Sequence, residues 1–209
     1  MKIYIAAGHG GRDSGAVANG TNERDEVEKI VNETVTNLKT VLAGKAEIIQ
    51  VPNELNVDKT PEWINQQDQG NTDSFCIEVH LNSNTGNPGS GIETYYGNLD
   101  MAKKIQAKLV EVLKLAGRGV REGNDLKFNR VTNPASCLTE LGFINNPHDL
   151  EIIRERGSMA LTKALYDLVS PTPMIIANPI GTEKGLLLEI KSALEQEIEN
   201  IKQITNKIN

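Results

Sequence analysis

Ile3-Tyr4-Ile5-Ala6-Ala7-Gly8-His9-Gly10-Gly11-Arg12-Asp13-Ser14-Gly15-Ala16 decides the fold. A short β-rich apolar run breaks abruptly on glycines, and glycine lets a backbone turn sharply and approach a site closely. The run reads as a buried first strand. Similar runs lie at residues 47–51 (Glu-Ile-Ile-Gln-Val), 75–80 (Phe-Cys-Ile-Glu-Val-His), 92–96 (Ile-Glu-Thr-Tyr-Tyr) and 137–141 (Cys-Leu-Thr-Glu-Leu). Helical periods separate several of them. Val27, Ile30, Val31, Val35, Leu38 and Leu42 recur at three- and four-residue steps, which makes one apolar face. Ala102, Ile105, Leu109, Val112, Leu113 and Ala116 do the same, with Gly117 as a stop. Thr60-Pro61 reads as a helix cap followed by proline at the first helical position, closing at Gly70. Asn146-Pro147 starts another helix through Arg154, and a further one is expected over about 159–168.

Strands alternating with helices predict an α/β fold: a mostly parallel, twisted sheet of about six strands with helices on both faces. In such sheets ligands bind beyond the carboxyl ends of the strands. His9 follows the first strand, His80 ends the third run, and Glu140 lies near the end of the last. Three chemically capable side chains thus converge on one edge of the sheet. The polar stretch Asn82-Ser83-Asn84-Thr85-Gly86-Asn87-Pro88-Gly89-Ser90-Gly91 follows at once. Its turn chemistry reads as a surface connection placed to wall a groove.

Composition narrows the function classes. The 209 residues are 38% hydrophobic and 24% charged, the balance of an ordinary globular chain. A core of that size buries roughly 70% of the unfolded surface, so folding needs no disulfide or structural metal. Cys76 and Cys137 sit inside apolar runs and read as reduced core thiols. The formal charge of -6 lacks the basic footprint of a nucleic-acid binder. No stretch approaches the roughly 18 apolar residues of a membrane span. The first seven residues are too short for a secretory leader, so the expectation is synthesis in the cytoplasm.

Two neutral imidazoles and a carboxylate are a standard ligand set for catalytic Zn²⁺, with a fourth position open to water. His9 and His80 supply the imidazoles. Glu23 and Glu26 both stand at the entry of the first helix, and spacing alone leaves the choice between them open. Glu140 lies in an apolar strand, where an ionised carboxylate is costly unless paired or beside a metal. It reads either as a structural ion-pair member or as a general base. Glu78 and Glu93 pose the same question. Asp13, Asp25 and His148 are further candidates, with His148 read as a surface residue in a first helical turn.

These motifs together resemble the zinc-dependent N-acetylmuramoyl-L-alanine amidases, the family of bacterial autolysins and phage endolysins. Residues 8–16 resemble the opening motif, whose His binds zinc. Asn22-Glu23-Arg24-Asp25 resembles the segment carrying the second ligand, which favours Glu23. Glu78-Val79-His80-Leu81-Asn82 resembles the segment with the third, and Gly91-Ile92-Glu93-Thr94-Tyr95-Tyr96 the strand after it. Residues 139–146 resemble the stretch with the catalytic Glu. The resemblance covers about residues 1–170. It implies zinc on His9, Glu23 and His80, Glu140 as general base and acid, and peptidoglycan as substrate, with Asn82 and Arg121 contacting it. The region 63–68 lacks an Arg that the family often carries there, so the substrate contacts depart more than the metal site does. A phage endolysin released at lysis, or an autolysin, is the implied setting. The alternatives are a zinc peptidase cutting within the stem peptide and a non-catalytic wall-binding protein.

After Ser170-Pro171-Thr172-Pro173 the character changes. Residues 171–182 read as a linker after the catalytic domain (1–170). Residues 183–209 read as an amphipathic C-terminal helix, with Leu187, Ile190, Leu194, Ile198, Ile201, Ile204 and Ile208 in one stripe. The stripe suits self-association, a partner contact, or docking on the protein's own core.

Overall fold

A computed structural model of the chain describes residues 1–170. The linker expected at 171–182 and the helix expected at 183–209 lie outside the described residues. The opening apolar run becomes β1 (Lys2–Ala7), followed by a small hairpin, β2 (Val17–Ala18) and β3 (Thr21–Asn22), and by α1 (Glu23–Val41). Next come β4 (Glu47–Gln50), α2 (Thr60–Asp68), β5 (Ser74–Asn82), β6 (Ile92–Tyr96) and α3 (Leu99–Leu113). The described part closes with β7 (Gly117–Glu122), α4 (Lys127–Val131), β8 (Ala135–Phe143) and α5 (Pro147–Val169).

Six strands form one sheet in the order β4-β1-β5-β8-β6-β7. β4, β1, β5 and β8 are mutually parallel, whereas β6 pairs antiparallel with β8 and parallel with β7. The expected α/β architecture is therefore present, with one reversal in the sheet. Side chains alternate across a strand. Tyr4 and Ala6 of β1 join Cys76, Val51, Ile64 of α2 and Phe128 of α4 in one buried cluster. Ile3 and Ile5 point the other way, where α1 and α3 both lie against α5. The buried α1 face is Val27, Ile30, Val31, Val35 and Leu38, the stripe expected from spacing.

Helix starts follow side-chain chemistry. The Asn22 side chain accepts the Asp25 backbone N–H at 3.0 Å and caps α1. Asn146 accepts from His148 and Asp149 ahead of α5, with Pro147 in the first turn. Such caps satisfy donors that a helix end leaves unpaired.

Three local expectations are corrected. α5 is one continuous helix and does not break between Arg154 and Met159. Gly157 sits inside it, where a Cβ would lie 3.4 Å from Ile153 and from Ile30 of α1, the start of ordinary packing contact. The stretch from Gly117 continues as strand β7 after the helix ends, with Lys114 as the left-handed cap residue (φ 59°). Thr60 is not the cap of α2; Lys59 occupies that place without a side-chain bond, and Thr60 Oγ1 donates to the Asn56 carbonyl.

Candidate metal centre and active site

Three residues remote in the chain meet at the carboxyl ends of β1 and β5. His9 follows β1, Glu23 is the first residue of α1, and His80 stands near the end of β5. One ligand atom from each lies within 4.8 Å of the others. His9 Nε2 is 3.1 Å from Glu23 Oε2, and His80 Nδ1 is 2.9 Å from Glu23 Oε1. The two rings are 5.0 Å apart and nearly perpendicular, at 79°.

The backbone is shaped for this meeting. His9 has φ 65°, a left-handed conformation rare for a residue with a Cβ. Gly15, at φ 61°, lies where a Cβ would come within 2.7 Å of Glu23 Oε2. Gly8 leaves room for the His80 imidazole, which a Cβ would strike. Glu23 also accepts the backbone N–H groups of Ala16 at 3.1 Å and Leu81 at 3.0 Å. Its place at a helix N-terminus favours the anion further.

The electrostatics call for a cation. Burial raises the Glu23 carboxyl, but the His80 and His9 imidazoles outweigh it and hold Glu23 well below the usual carboxylate range. His9 is raised above 6.5, first by its contact with Glu23. His80 is depressed by burial, yet Glu23 and Glu78 carry it well above 6.5. A carboxylate field that favours positive imidazoles also favours a divalent ion between them. The donor set of two imidazole nitrogens and a carboxylate oxygen fits Zn²⁺. Each outer imidazole nitrogen also faces a carboxylate: His9 Nδ1 is 2.9 Å from Asp13 Oδ2, and His80 Nε2 is 3.3 Å from Glu78 Oε2.

Glu23 and Glu26, which spacing leaves as alternatives, point to different partners. Glu26 turns away and is held by Arg154 (Nε to Oε2, 3.0 Å) and by Thr21 Oγ1 (2.6 Å).

Glu140 stands opposite His80 in the β5–β8 register, and Glu93 stands opposite Glu140 across β6–β8. The three therefore form a row across adjacent strands. Glu140 Oε2 is buried with no hydrogen-bond partner among the described residues. Burial pushes its carboxyl up to about 7, with Glu23 and Glu93 raising it further against the pull of His80. Glu93 is instead compensated. Arg121 Nε lies 2.5 Å from Glu93 Oε1, close but outside hydrogen-bond alignment, and Tyr95 donates to Oε2 at 2.9 Å. Burial and this carboxylate push the Tyr95 phenol up to about 12, so it stays a donor.

Arg121, expected at the substrate, is therefore placed against Glu93 with about half its side chain exposed. Asn82 ends β5, and its carbonyl accepts Ile144 N–H at 2.8 Å. Asp25 pairs with Arg24 at the surface, and His148 is exposed in the first turn of α5. Asp149 carries structural weight that the sequence did not signal. It is fully buried and accepts Gly91 N–H at 2.9 Å, Phe143 N–H at 3.0 Å and Ser90 Oγ at 2.7 Å, tying the 83–91 loop to the end of β8.

A family model described as N-acetylmuramoyl-L-alanine amidase matches residues 3–170. The chain belongs to the N-acetylmuramoyl-L-alanine amidase family. The resemblance carried by its motifs is borne out. An uncharacterised Bacillus subtilis protein, YqiI, is 35% identical over 157 residues, covering 71% of this chain and 73% of that one. The endolysin of Bacillus phage SPP1 is 31% identical over 166 residues, 73% of this chain and 58% of the relative. The crystal structure of an N-acetylmuramoyl-L-alanine amidase from Clostridium difficile 630 superposes with a TM-score of 0.70. That match has 23% identity and covers 79% of this chain and 92% of the other, and it establishes the shared fold.

Proposed function

We propose that the chain cuts the amide between N-acetylmuramic acid and L-alanine in peptidoglycan, with zinc held by His9, Glu23 and His80 and with Glu140 as the proton carrier. Family membership makes the chain a peptidoglycan amidase. The observation that carries the metal assignment is the meeting of the His9, Glu23 and His80 ligand atoms within 4.8 Å. Bound there, zinc would supply Lewis acidity for the amide carbonyl and lower the pKa of a water toward about 7.

The remaining work falls to side chains. Glu23 supplies negative charge and is oriented by the N–H groups of Ala16 and Leu81. Asp13 accepts from His9 and fixes its ring. Glu140 has the affinity for a proton that the role needs, since a carboxyl near 7 both accepts and donates at neutral pH. Its carboxylate takes the proton of the attacking water and returns one to the departing alanine nitrogen. Asn82, at the end of β5, and Arg121, whose side chain reaches Glu93 from β7, are the proposed substrate contacts.

The setting that fits is lysis or remodelling of the bacterial wall, as for an endolysin or autolysin. No helix among the described residues is long and apolar enough to cross a membrane. Digestion of isolated cell walls with and without a chelator tests the proposal, with mass spectrometry of the products. Stem peptides with a free N-terminal L-alanine, lost on chelation, are expected. New amino groups within the stem would instead mean a peptidase. Binding to walls without any release of amino groups would leave only a wall-binding protein.

A further inference from the structure

Glu78 is a buried carboxylate that the reaction above does not use. It is 2% exposed, and its Oε1 has no hydrogen-bond partner among the described residues. His80 Nε2, also buried, likewise lacks an aligned partner among the described residues. Glu78 Oε2 lies 3.3 Å from that nitrogen. A buried polar atom left unpaired is costly, since it has given up its bonds to water. The carboxylate oxygen that faces the unpaired Nε2 is Oε2, the neighbour of the unpaired Oε1.

The strand explains the placement. Residues two apart on β5 share a face, so Cys76, Glu78 and His80 follow one another along it. Cys76 is in the apolar cluster with Tyr4 and Phe128. His80 is at the metal centre, and Glu78 occupies the step between. It sits beneath the imidazole on the core side, with too little exposure to meet a substrate. Gly8 supplies the flat surface on which the ring rests. The ring is thus held between Glu23 on Nδ1 and Glu78 on Nε2. His9 has the same arrangement in mirror form, with Asp13 on Nδ1 and Glu23 on Nε2.

We propose that Glu78 is a positioning residue for the metal centre: its carboxylate accepts the Nε2 proton of His80 and so fixes the tautomer that leaves Nδ1 free to bind the ion. Metal-bound imidazoles commonly donate their other N–H to a carboxylate, which orients the ring and raises its basicity. The inference rests on His80 being a ligand.

The test uses zinc-loaded protein carrying ¹⁵N-labelled histidine, with Glu78→Gln as the variant. In the unaltered protein the His80 Nε2 proton is expected far downfield and slow to exchange. In Glu78→Gln that signal moves upfield or broadens, and zinc affinity measured by chelator competition falls about 10–100-fold. The melting temperature of the metal-free variant does not fall, which separates positioning from a structural role. A zinc affinity within about twofold of the original, with the resonance unmoved, overturns the proposal. So does an unaltered protein whose His80 carries its proton on Nδ1, a result that needs no variant to fold. Zinc affinity unaffected by His80→Ala would overturn the metal-centre reading itself, an outcome distinct from the failure of Glu78 alone.

Discussion

Glu140→Gln keeps the shape of the side chain and removes its capacity to carry a proton. Two effects of opposite sign are expected. Loss of a positioned general base lowers the rate about 10²–10⁴-fold. Zinc content stays at the level of the unaltered enzyme, because Glu140 is outside the His9, Glu23 and His80 group. Stability of the metal-free protein moves the other way. The Glu140 carboxyl is lifted from 4.5 to about 7 by burial, so its ionised form opposes folding. That cost is absent below about pH 4.5 and complete above about pH 7. The lift corresponds to about 3 kcal/mol. The amide brings its own unmet hydrogen bonds, at about 1 kcal/mol or more, so the net gain at pH 8 is at most about 2 kcal/mol. For a chain of this size that raises the melting temperature by up to about 8 °C, a gap that closes toward pH 4.5. The assays are turbidity loss of isolated walls, bound zinc by atomic absorption, and thermal melts of chelated protein at pH 8 and pH 5. Activity within tenfold of the original would refute Glu140 as the base. Zinc lost in parallel with activity would make it a ligand instead.

His80→Ala should weaken zinc binding and abolish wall lysis, as measured by metal content after gel filtration. Acidification should release the ion from the unaltered protein. His9 and His80 are both raised above 6.5 by neighbouring carboxylates, so protons compete from above that pH downward; zinc fully retained after dialysis at pH 5 would contradict imidazole ligation. Arg154→Ala strands the buried Glu26 carboxylate, at an expected cost of about 1–3 kcal/mol in urea unfolding at pH 7. Glu26 is held below its ordinary range first by Arg154, so its contribution is present above about pH 4.5 and lost as pH falls through the folded value. The gap between Arg154→Ala and the parent should therefore narrow in acid, and a constant gap would assign the loss to packing. Asp149→Ala leaves the Gly91 and Phe143 N–H groups unpaired inside the protein. A loss of about 3 kcal/mol is expected, with slower wall lysis because β8 carries Glu140. An unchanged melting temperature would deny Asp149 that role.

The legible parts of this fold are those where one local signal is enough. Buried strands β1, β5 and β8 announce themselves as apolar runs, and α1 as a single stripe. β7 reads Gly-Arg-Gly-Val-Arg-Glu and is mostly exposed at the edge of the sheet, so no burial pattern marks it. The continuity of α5 was hidden because residues 154–158, Arg-Glu-Arg-Gly-Ser, carry no apolar side chain to join the two periods. The site divides the same way. His9 and His80 stand out by their place just after one strand and near the end of another. Glu23 and Glu26 differ only by which distant groups reach them, and Arg154 is 128 residues from Glu26 in the chain. Asp149 gave no signal, since its three donors come from a loop and a strand end that only the folded chain brings together.

The reversal of β6 has an engineering consequence. Because β6 starts at the end of the sheet where β5 stops, their connection stays at that end and needs no crossover beneath. Asn84 accepts Gly89 N–H, Asn146 Nδ2 donates to Gly89 O and Ser90 Oγ donates to Asp149, which pins both shoulders of the connection. Residues 85–88 between those pins are exposed. Doubling a loop's length costs only about 0.6 kcal/mol in closure entropy. The crest at 85–88 is therefore a graft point, where a longer segment can be inserted at little cost while the sheet and helices below stay as they are.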